Sequence, residues 1–288
     1  MSYKITVDFA GDFPLKVMPM FTQENVGMHR HDFHELVLIV SGRSRHLTGS
    51  ENCIVSAGDI FLIRPGVAHS YCDTENFGLI NLLFDAGYFG IPSCDLATSP
   101  GYQALFEVEP RALAAGGLKR HLRLDVATRD ELCTRLNRLD CALSSERPGG
   151  RFTAMAEFFG IVALLADYFS LPVPAAADEH RGIFKLGTIL GFLEKHYAEN
   201  ISMELLARRA SVSRATLYRM FRRATGGSPL EYLLRLRLRH ASALLLNTTL
   251  PVGEIALRTG FSDSNYFSRL FRRRFRCSPR EFRENGGK

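Results

Sequence analysis

The chain has 288 residues, enough for two domains at roughly 100–200 residues each. Its 46% hydrophobic and 23% charged residues exclude a disordered or fibrous polymer, and no apolar run reaches the roughly 18 residues that a membrane span needs. The net charge of +6 is unevenly spread: residues 1–180 hold 15 Lys+Arg against 22 Asp+Glu, and residues 181–288 hold 21 against 8. That asymmetry implies one module that meets a polyanion and one that does not.

Asp8 and Asp12 interrupt the segment where a signal peptide would need an apolar core, so the reading is a cytoplasmic protein with no membrane partner. Six cysteines (Cys53, Cys72, Cys94, Cys133, Cys141, Cys277) are scattered with no CxxC pair. Their spacing predicts reduced, mostly buried thiols and not a zinc or disulfide framework.

In chain order, residues 1–90 show short alternating runs broken by glycine and proline, which predict an all-β unit. Leu36–Val40 ends at Ser41-Gly42, and Ile60–Ile63 ends at Arg64-Pro65-Gly66. Residues 125–170 change period. Leu132, Leu136, Leu139 and Leu143 form a helical stripe, Pro148-Gly149-Gly150 breaks it, and Phe158, Phe159, Val162, Leu165 and Phe169 mark a second helix. This antiparallel pair can pack on the β unit or supply a dimer interface. Residues 171–182, with Pro172 and Pro174, read as a linker.

The basic half repeats itself. Sliding residues 201–235 by fifty positions matches Glu204 with Glu254, Arg208 with Arg258, Arg219 with Arg269, Phe221 with Phe271, and Ser228-Pro229 with Ser278-Pro279. Each copy reads as a short helix, a tight turn and a second helix. The first runs Met203–Ala210, then a helix capped by Ser213 and stopped at Gly226; the second runs Gly253–Arg258, then a helix capped by Asp263 and ending near Phe275. That plan is a helix-turn-helix.

Leu217, Met220 and Phe221 form the expected core side of the first second-helix, and Phe267, Leu270 and Phe271 that of the other. Opposite stand Arg214, Arg219, Arg222 and Arg223, then Asn265, Ser268, Arg269, Arg272 and Arg273. Arginine matches phosphate oxygens and the guanine edge, and asparagine matches adenine. Ser228–Leu246 reads as one helix of roughly 28 Å, near the roughly 34 Å between successive major-groove faces of B-DNA. One chain could thus lay two recognition helices on one side of a duplex.

Over about Ile201–Arg283 the sequence resembles the AraC/XylS family of bacterial transcription regulators. The resemblance rests on Leu206-Ala207, Ala210, Ser213, Leu217, Phe221, Gly226 and Pro229, then Ile255-Ala256, Gly260-Phe261, Tyr266-Phe267, Phe271, Ser278-Pro279 and Phe282. It implies base contacts from Ala215, Tyr218 and Arg219 and from Ser264, Asn265, Ser268 and Arg269, with Thr216 a further candidate. It puts Asp263 within reach of DNA or RNA polymerase. Arg276-Cys277 departs from the family, which has a glycine ending that helix, so another residue is expected to supply the stop.

The N-terminal half resembles the cupin-type sensor of this family through His29-Arg30-His31-Asp32-Phe33-His34-Glu35, Gly42, Gly58-Asp59, Pro65-Gly66 and His69-Ser70-Tyr71. His-Asp-Phe-His-Glu and Gly260–Asn265 look most like the L-rhamnose-responsive members, a pointer to a sugar effector. His29, His31 and Glu35 share parity, so one strand would place them on one face. With His69 they would complete the three-histidine, one-carboxylate set of metal-binding cupins. Effector contact, a structural role at strand ends and metal chemistry remain the three readings of these residues. His46 and Tyr71 join the effector candidates, while Arg43, Arg45 and Arg64 read as exposed strand positions.

The expected fold is α+β: a cupin-like β-barrel with a helical pair over 1–170, a linker at 171–182, and an all-α tandem helix-turn-helix domain over 183–288. The expected function is a ligand-responsive activator and not an enzyme, a homodimer with no cofactor, binding double-stranded DNA, a small effector and RNA polymerase. The competing expectation is a metal-dependent cupin enzyme fused to a DNA-binding domain.

Overall fold

Glycine- and proline-bounded runs of β-branched and aromatic residues fold as strands in the N-terminal half, and leucine-rich runs fold as helices beyond it. The computed structural model describes residues 2–9, 11–49, 51–90, 95–114, 121–171 and 181–287. The strands are β1 (Tyr3–Lys4), β2 (Leu15–Met20), β3 (Val26–Arg30), β4 (His34–Thr48), β5 (Glu51–Ser56), β6 (Asp59–Ile63), β7 (His69–Phe84) and β8 (Leu122–Arg123). They form one sheet in the order β1-β3-β7-β4-β6-β8, with β2 also on β7 and β5 also on β4.

Two long strands organise this sheet. β4 and β7 pair antiparallel from His34↔Phe84 to Thr48↔His69. Each changes its second partner midway. β4 meets β6 at Glu35–Leu38 and β5 at Arg43–Thr48, while β7 meets β3 near its start and β2 at Leu79–Phe84. Register shifts between Ile39 and Arg45 mark the bend, where bulges let a strand turn without ending. The β4 run therefore passes through Ser41-Gly42, where the sequence predicted a stop. Gly42 adopts φ +64, and a Cβ there would collide with the carbonyl oxygens of Glu75 and Asn76.

A helical segment follows: α1 (Pro100–Tyr102), a π turn at Gln103–Val108 and α2 (Glu109–Ala114). The predicted helical pair is α3 (Val126–Leu143) and α4 (Gly150–Tyr168). Leu132, Leu136 and Leu139 are buried, as are Phe158, Ile161, Val162 and Leu165. Phe158 packs its ring 5.0 Å from Phe84 and 4.8 Å from Phe89, so the pair covers the sheet. Phe159, placed by periodicity on the buried face, is 43% exposed.

The chain forms two compact units, Met1–Gly191 and Phe192–Lys288, dividing within α5 (Arg181–His196). Of the segment expected as a linker, 172–180 lies outside the described residues. The second unit is all-helical: α6 (Met203–Arg209), α7 (Arg214–Thr225), α8 (Pro229–Asn247), α9 (Val252–Arg258), α10 (Ser264–Phe275) and α11 (Pro279–Glu284). Ser228 and Ser278 open α8 and α11 with the same capping box, each paired with a glutamate three residues on. Leu238, Ala241 and Leu245 of α8 pack with Ile255, Phe261, Phe267 and Phe271, so the rod between the repeats also builds the second core. Met220 is only half-buried, whereas Leu217 and Phe221 are fully enclosed.

Both recognition-type helices stop in the left-handed conformation, at Gly226 (φ 72) and Arg276 (φ 66). The second stop thus uses Arg276 itself, and no neighbouring residue replaces the missing glycine. Of the described cysteines only Cys53 is buried; Cys72, Cys133 and Cys277 are half-buried and Cys141 is exposed. The expectation of mostly buried thiols fails because the helical-pair cysteines fall off the leucine stripe. Cys94 lies outside the described residues.

Candidate nucleic-acid interface and effector pocket

α7 and α10 each bury one apolar stripe and turn the rest outward. Ser213 Oγ accepts from the backbone N–H of Thr216, and Asp263 Oδ1 accepts from those of Asn265 and Tyr266. These caps fix where each helix starts and hence which side chains lead it. On α7, Arg214, Ala215, Tyr218, Arg219, Arg222 and Arg223 are exposed and Thr216 is half-buried; on α10, Ser264, Asn265, Arg269, Arg272 and Arg273 are exposed, as is Asp263, and Ser268 is half-buried.

Several arginines elsewhere in this unit are occupied. Arg237 donates to the carbonyls of Tyr197 and Glu199, Arg283 to those of Leu245 and Leu250, and Arg239 holds Glu194 at 2.7 Å. Arg214 pairs with Glu204 of α6 at 2.7 Å. By contrast, no carboxylate among the described residues forms an ion pair with Arg219, Arg222, Arg223, Arg269, Arg272 or Arg273. Arg219 reaches only Thr216 Oγ1, at 3.4 Å, and Arg269 lies over the Tyr266 ring.

The sheet unit holds a cavity of about 170 Å³ whose floor is apolar (Met18, Leu79 and Leu83) and whose polar lining is Gln23, His29, His31, Glu35, Tyr71 and Asn81. It is small beside the ~300–1,000 Å³ of typical ligand pockets, a size for a small metabolite. Tyr71 Oη and Asn81 Oδ1 are buried with no hydrogen-bond partner. Both residues line the cavity, and such groups are costly to bury unpaired.

Beside it, His31 Nε2 lies 2.8 Å and His69 Nε2 3.4 Å from Glu35 Oε2. The three atoms lie within 4.8 Å of one another. Burial pushes the Glu35 carboxyl up, but His31 and His69 outweigh it and hold it at about 2. Two imidazoles and a carboxylate fit iron, manganese, nickel or zinc, so these residues could hold such an ion. His29 stands outside the trio, turning Nδ1 to the Gly27 carbonyl at 2.9 Å while its ring lies 4.0 Å from that of His69. Burial and then His69 lower its pKa.

Residues 206–285 match the family model described as a helix-turn-helix domain, and residues 19–90 match the one described as an AraC-like ligand binding domain. The HTH-type transcriptional activator RhaS of Enterobacter sp. (strain 638) is 32% identical across 97% of this chain and 96% of its own. RhaS of Citrobacter koseri matches with the same figures. The chain belongs to the AraC/XylS family. Among solved structures, an AraC-type transcriptional regulator from Chromobacterium violaceum is 35% identical, covering 36% of this chain and 93% of its own, with a TM-score of 0.35. A sensor sheet joined to a tandem helix-turn-helix is the architecture of a ligand-responsive, DNA-binding transcription regulator of this family.

For an AraC/XylS chain the sensor's details differ from the sequence expectation. His29, His31 and Glu35 do not share a strand: β3 ends at Arg30, and residues 31–33 turn into β4. The turn carries His31 back onto Glu35, giving convergence by another route than strand parity. His69 backs Glu35 and does not line the cavity. His46 does not line it either. Instead, His46 Nδ1 lies 3.1 Å from His121 Nε2, and Cys53 Sγ lies 3.3 Å from that same nitrogen. Burial lowers the pKa of His46 well below the imidazole range. At His121 burial acts the same way, but Cys53 and Glu109 outweigh it and raise the imidazole to about 9.

Gln23, Asn81, His121, Cys53 and Glu109 had no place in the sequence reading of the site. Gln23 sits in the turn between β2 and β3, where its backbone N–H donates to the Phe77 carbonyl, and Asn81 sits on β7 opposite Met18 of β2 and Val37 of β4, so neither belongs to the histidine motif.

Proposed function

We propose that this chain is a transcription activator in which a small polyol, a sugar, occupies the cavity of the sheet unit and biases DNA binding by the helical unit. α7 and α10 would enter successive major-groove faces of one duplex, with Arg219, Asn265 and Arg269 reading bases and Arg222, Arg223, Arg272 and Arg273 holding phosphates. Arg214, Ala215, Thr216, Tyr218, Ser264 and Ser268 complete the contact surface, and Asp263 faces DNA or RNA polymerase. Gln23, Tyr71 and Asn81 would bind the effector hydroxyls. The observation that carries the reading is the set of arginines left without carboxylate partners on two equivalent, N-capped helices, in a unit where Arg237, Arg239 and Arg283 are engaged.

Activation is supported by the 32% identity to activators named RhaS over 97% of the chain, and a polyol effector by the polar groups of Gln23, Tyr71 and Asn81 above an apolar floor. The sensor unit is assigned to the N-terminal segment and DNA binding to the C-terminal one. α3 and α4 serve to pair two copies, supported by exposed Val126, Phe152 and Phe159 on those helices. A role on DNA is the reason for assigning the protein to the cytoplasm. Among the described residues no helix is long and apolar enough to cross a membrane.

The test is a gel-shift titration on a selected operator. Arg219→Ala and Arg269→Ala should each weaken specific binding by about 1–3 kcal/mol, or roughly 5–150-fold in Kd. Wild-type affinity should fall steeply with salt as phosphate contacts release counterions. Unchanged affinity in both variants, or a flat salt dependence, would reject the interface.

A second reading, metal-dependent chemistry in the sensor, is favoured by the convergence of His31, Glu35 and His69. Those three residues would hold the ion, which would supply Lewis-acid chemistry to a ligand in the cavity. If that reading holds, effector turnover should vanish in Glu35→Gln. If the regulator reading holds, effector-dependent DNA binding proceeds with no turnover at all.

A further inference from the structure

We propose that His46, Cys53 and His121 form a zinc-type metal site inside the N-terminal unit, separate from the effector cavity, taking a borderline-soft divalent cation through two imidazole nitrogens and one thiolate. The three side chains come from β4, β5 and the residue just before β8, and all are buried. Their donor atoms lie within 4.8 Å of one another.

The spacing suits the cation. Tetrahedral zinc, at about 2.0–2.1 Å from nitrogen and about 2.3 Å from sulfur, separates its ligands by about 3.3 Å for two nitrogens and about 3.6 Å for nitrogen and sulfur. The corresponding separations are 3.1 Å for His46 Nδ1 to His121 Nε2 and 3.3 Å for Cys53 Sγ to His121 Nε2.

The surroundings suit it too. Glu109 Oε1 lies 2.9 Å from His121 Nδ1, which sets the ring so that its other nitrogen faces the donors. Glu109 is itself fully buried, and its second oxygen accepts from the Leu62 backbone N–H. A carboxylate behind a ligating histidine is the usual support of a bound metal. Phe61 stacks on both His46 (4.8 Å) and His121 (3.9 Å), and Tyr71 also stacks on His46 at 4.9 Å, so ring contacts hold both imidazoles. Hydrogen bonding alone serves the cluster poorly. His46 Nδ1 and Cys53 Sγ converge on one nitrogen that carries at most one proton, whereas a cation satisfies all three donors together.

The test uses the full chain, stripped with chelator and titrated with Co(II). One equivalent should generate a thiolate-to-cobalt charge-transfer band, and one equivalent of Zn(II) should bleach it. The band should disappear in Cys53→Ser and His121→Gln. It should persist in Cys72→Ser and in Glu35→Gln, which removes the other potential cation trio. Glu109→Gln should keep the band but bind about 10–100-fold more weakly. Should Cys53→Ser fail to fold, X-ray absorption at the zinc edge of the loaded wild type decides: one sulfur and two imidazole donors are expected. A folded wild type without the band, a band that survives Cys53→Ser, or zinc without a sulfur donor would overturn the proposal.

Discussion

Arg276 offers a sharp test because the repeat supplies its own control. It ends α10 at φ 66, where its partner in the first repeat, Gly226, ends α7 at φ 72. An L-residue with a Cβ pays roughly 1–2 kcal/mol for left-handed backbone. Glycine gives back roughly 0.5–1 kcal/mol through its greater freedom in the unfolded chain. Arg276→Gly should therefore stabilise the helical unit by a net of about 0.5–1 kcal/mol. For a unit of this size that raises Tm by about 2–8 °C. The hydrogen bond from the residue-276 N–H to the Arg272 carbonyl, 2.9 Å long, uses backbone alone and survives the change. The assay is thermal unfolding of the full chain followed by circular dichroism at the helical transition. Arg276→Ala separates conformation from charge: it removes the positive charge beside Arg272, Arg273 and Arg274 but keeps the Cβ, so its Tm should stay near that of the wild type. Gly226→Ala should lower Tm by a comparable amount. If Arg276→Gly and Arg276→Ala melt alike, relief of charge crowding and not of backbone strain is responsible, and the reasoning fails.

Tyr71→Phe or Asn81→Leu should leave the free protein as stable or slightly more so, since each deletes a buried polar atom without a partner. Each should weaken effector binding about tenfold, the worth of one neutral hydrogen bond, read by thermal shift against a sugar panel. Ser278→Ala removes the capping box of α11 and should cost about 1 kcal/mol, visible as a lower Tm, with Ser228→Ala doing the same at α8. Glu35 titrates at about 2 in the folded protein against 4.5 ordinarily, a depressed carboxyl. Its stabilising contribution is thus complete above about pH 4.5 and lost as pH falls toward 2. The stability gap between wild type and Glu35→Gln should shrink over that window in urea titrations at stepped pH, and a constant gap would contradict the assignment.

The helical unit was legible because its signals are local. Ser213, Gly226 and Asp263 bound α7 and α10 at the residues the sequence marks, since a cap acts on backbone amides two or three positions away. The sheet was legible only in outline. The strand through Leu36–Val40 does not stop at Ser41-Gly42, because a bulge between the Ser41↔Gly78 and Arg43↔Glu75 pairs lets it turn and continue. Beyond that bend His46 meets Cys53 and His121 and not the cavity, a meeting that needs residues from three separate segments. Cysteine spacing argued against a metal framework, and rightly so for cysteine pairs. A lone cysteine meeting two histidines from other strands leaves no spacing pattern to read. Arg276 shows a further limit: sequence flags the absent glycine but not that arginine will accept the same torsion angles.

Since α8 builds part of the second core and also bears the first repeat at its N-terminal end, its length acts as a gear between the two halves of the helical unit. One inserted residue would advance the second repeat by about 1.5 Å and swing it by about 100° around the rod. The arginine face of α10 would then turn away from that of α7, and Arg237, which bonds to the Tyr197 and Glu199 carbonyls and lies over the Phe261 ring, could no longer keep both contacts. Point substitutions on the exposed faces can retune what each half contacts, but the spacing and phase between them are locked to an integer count of helical residues.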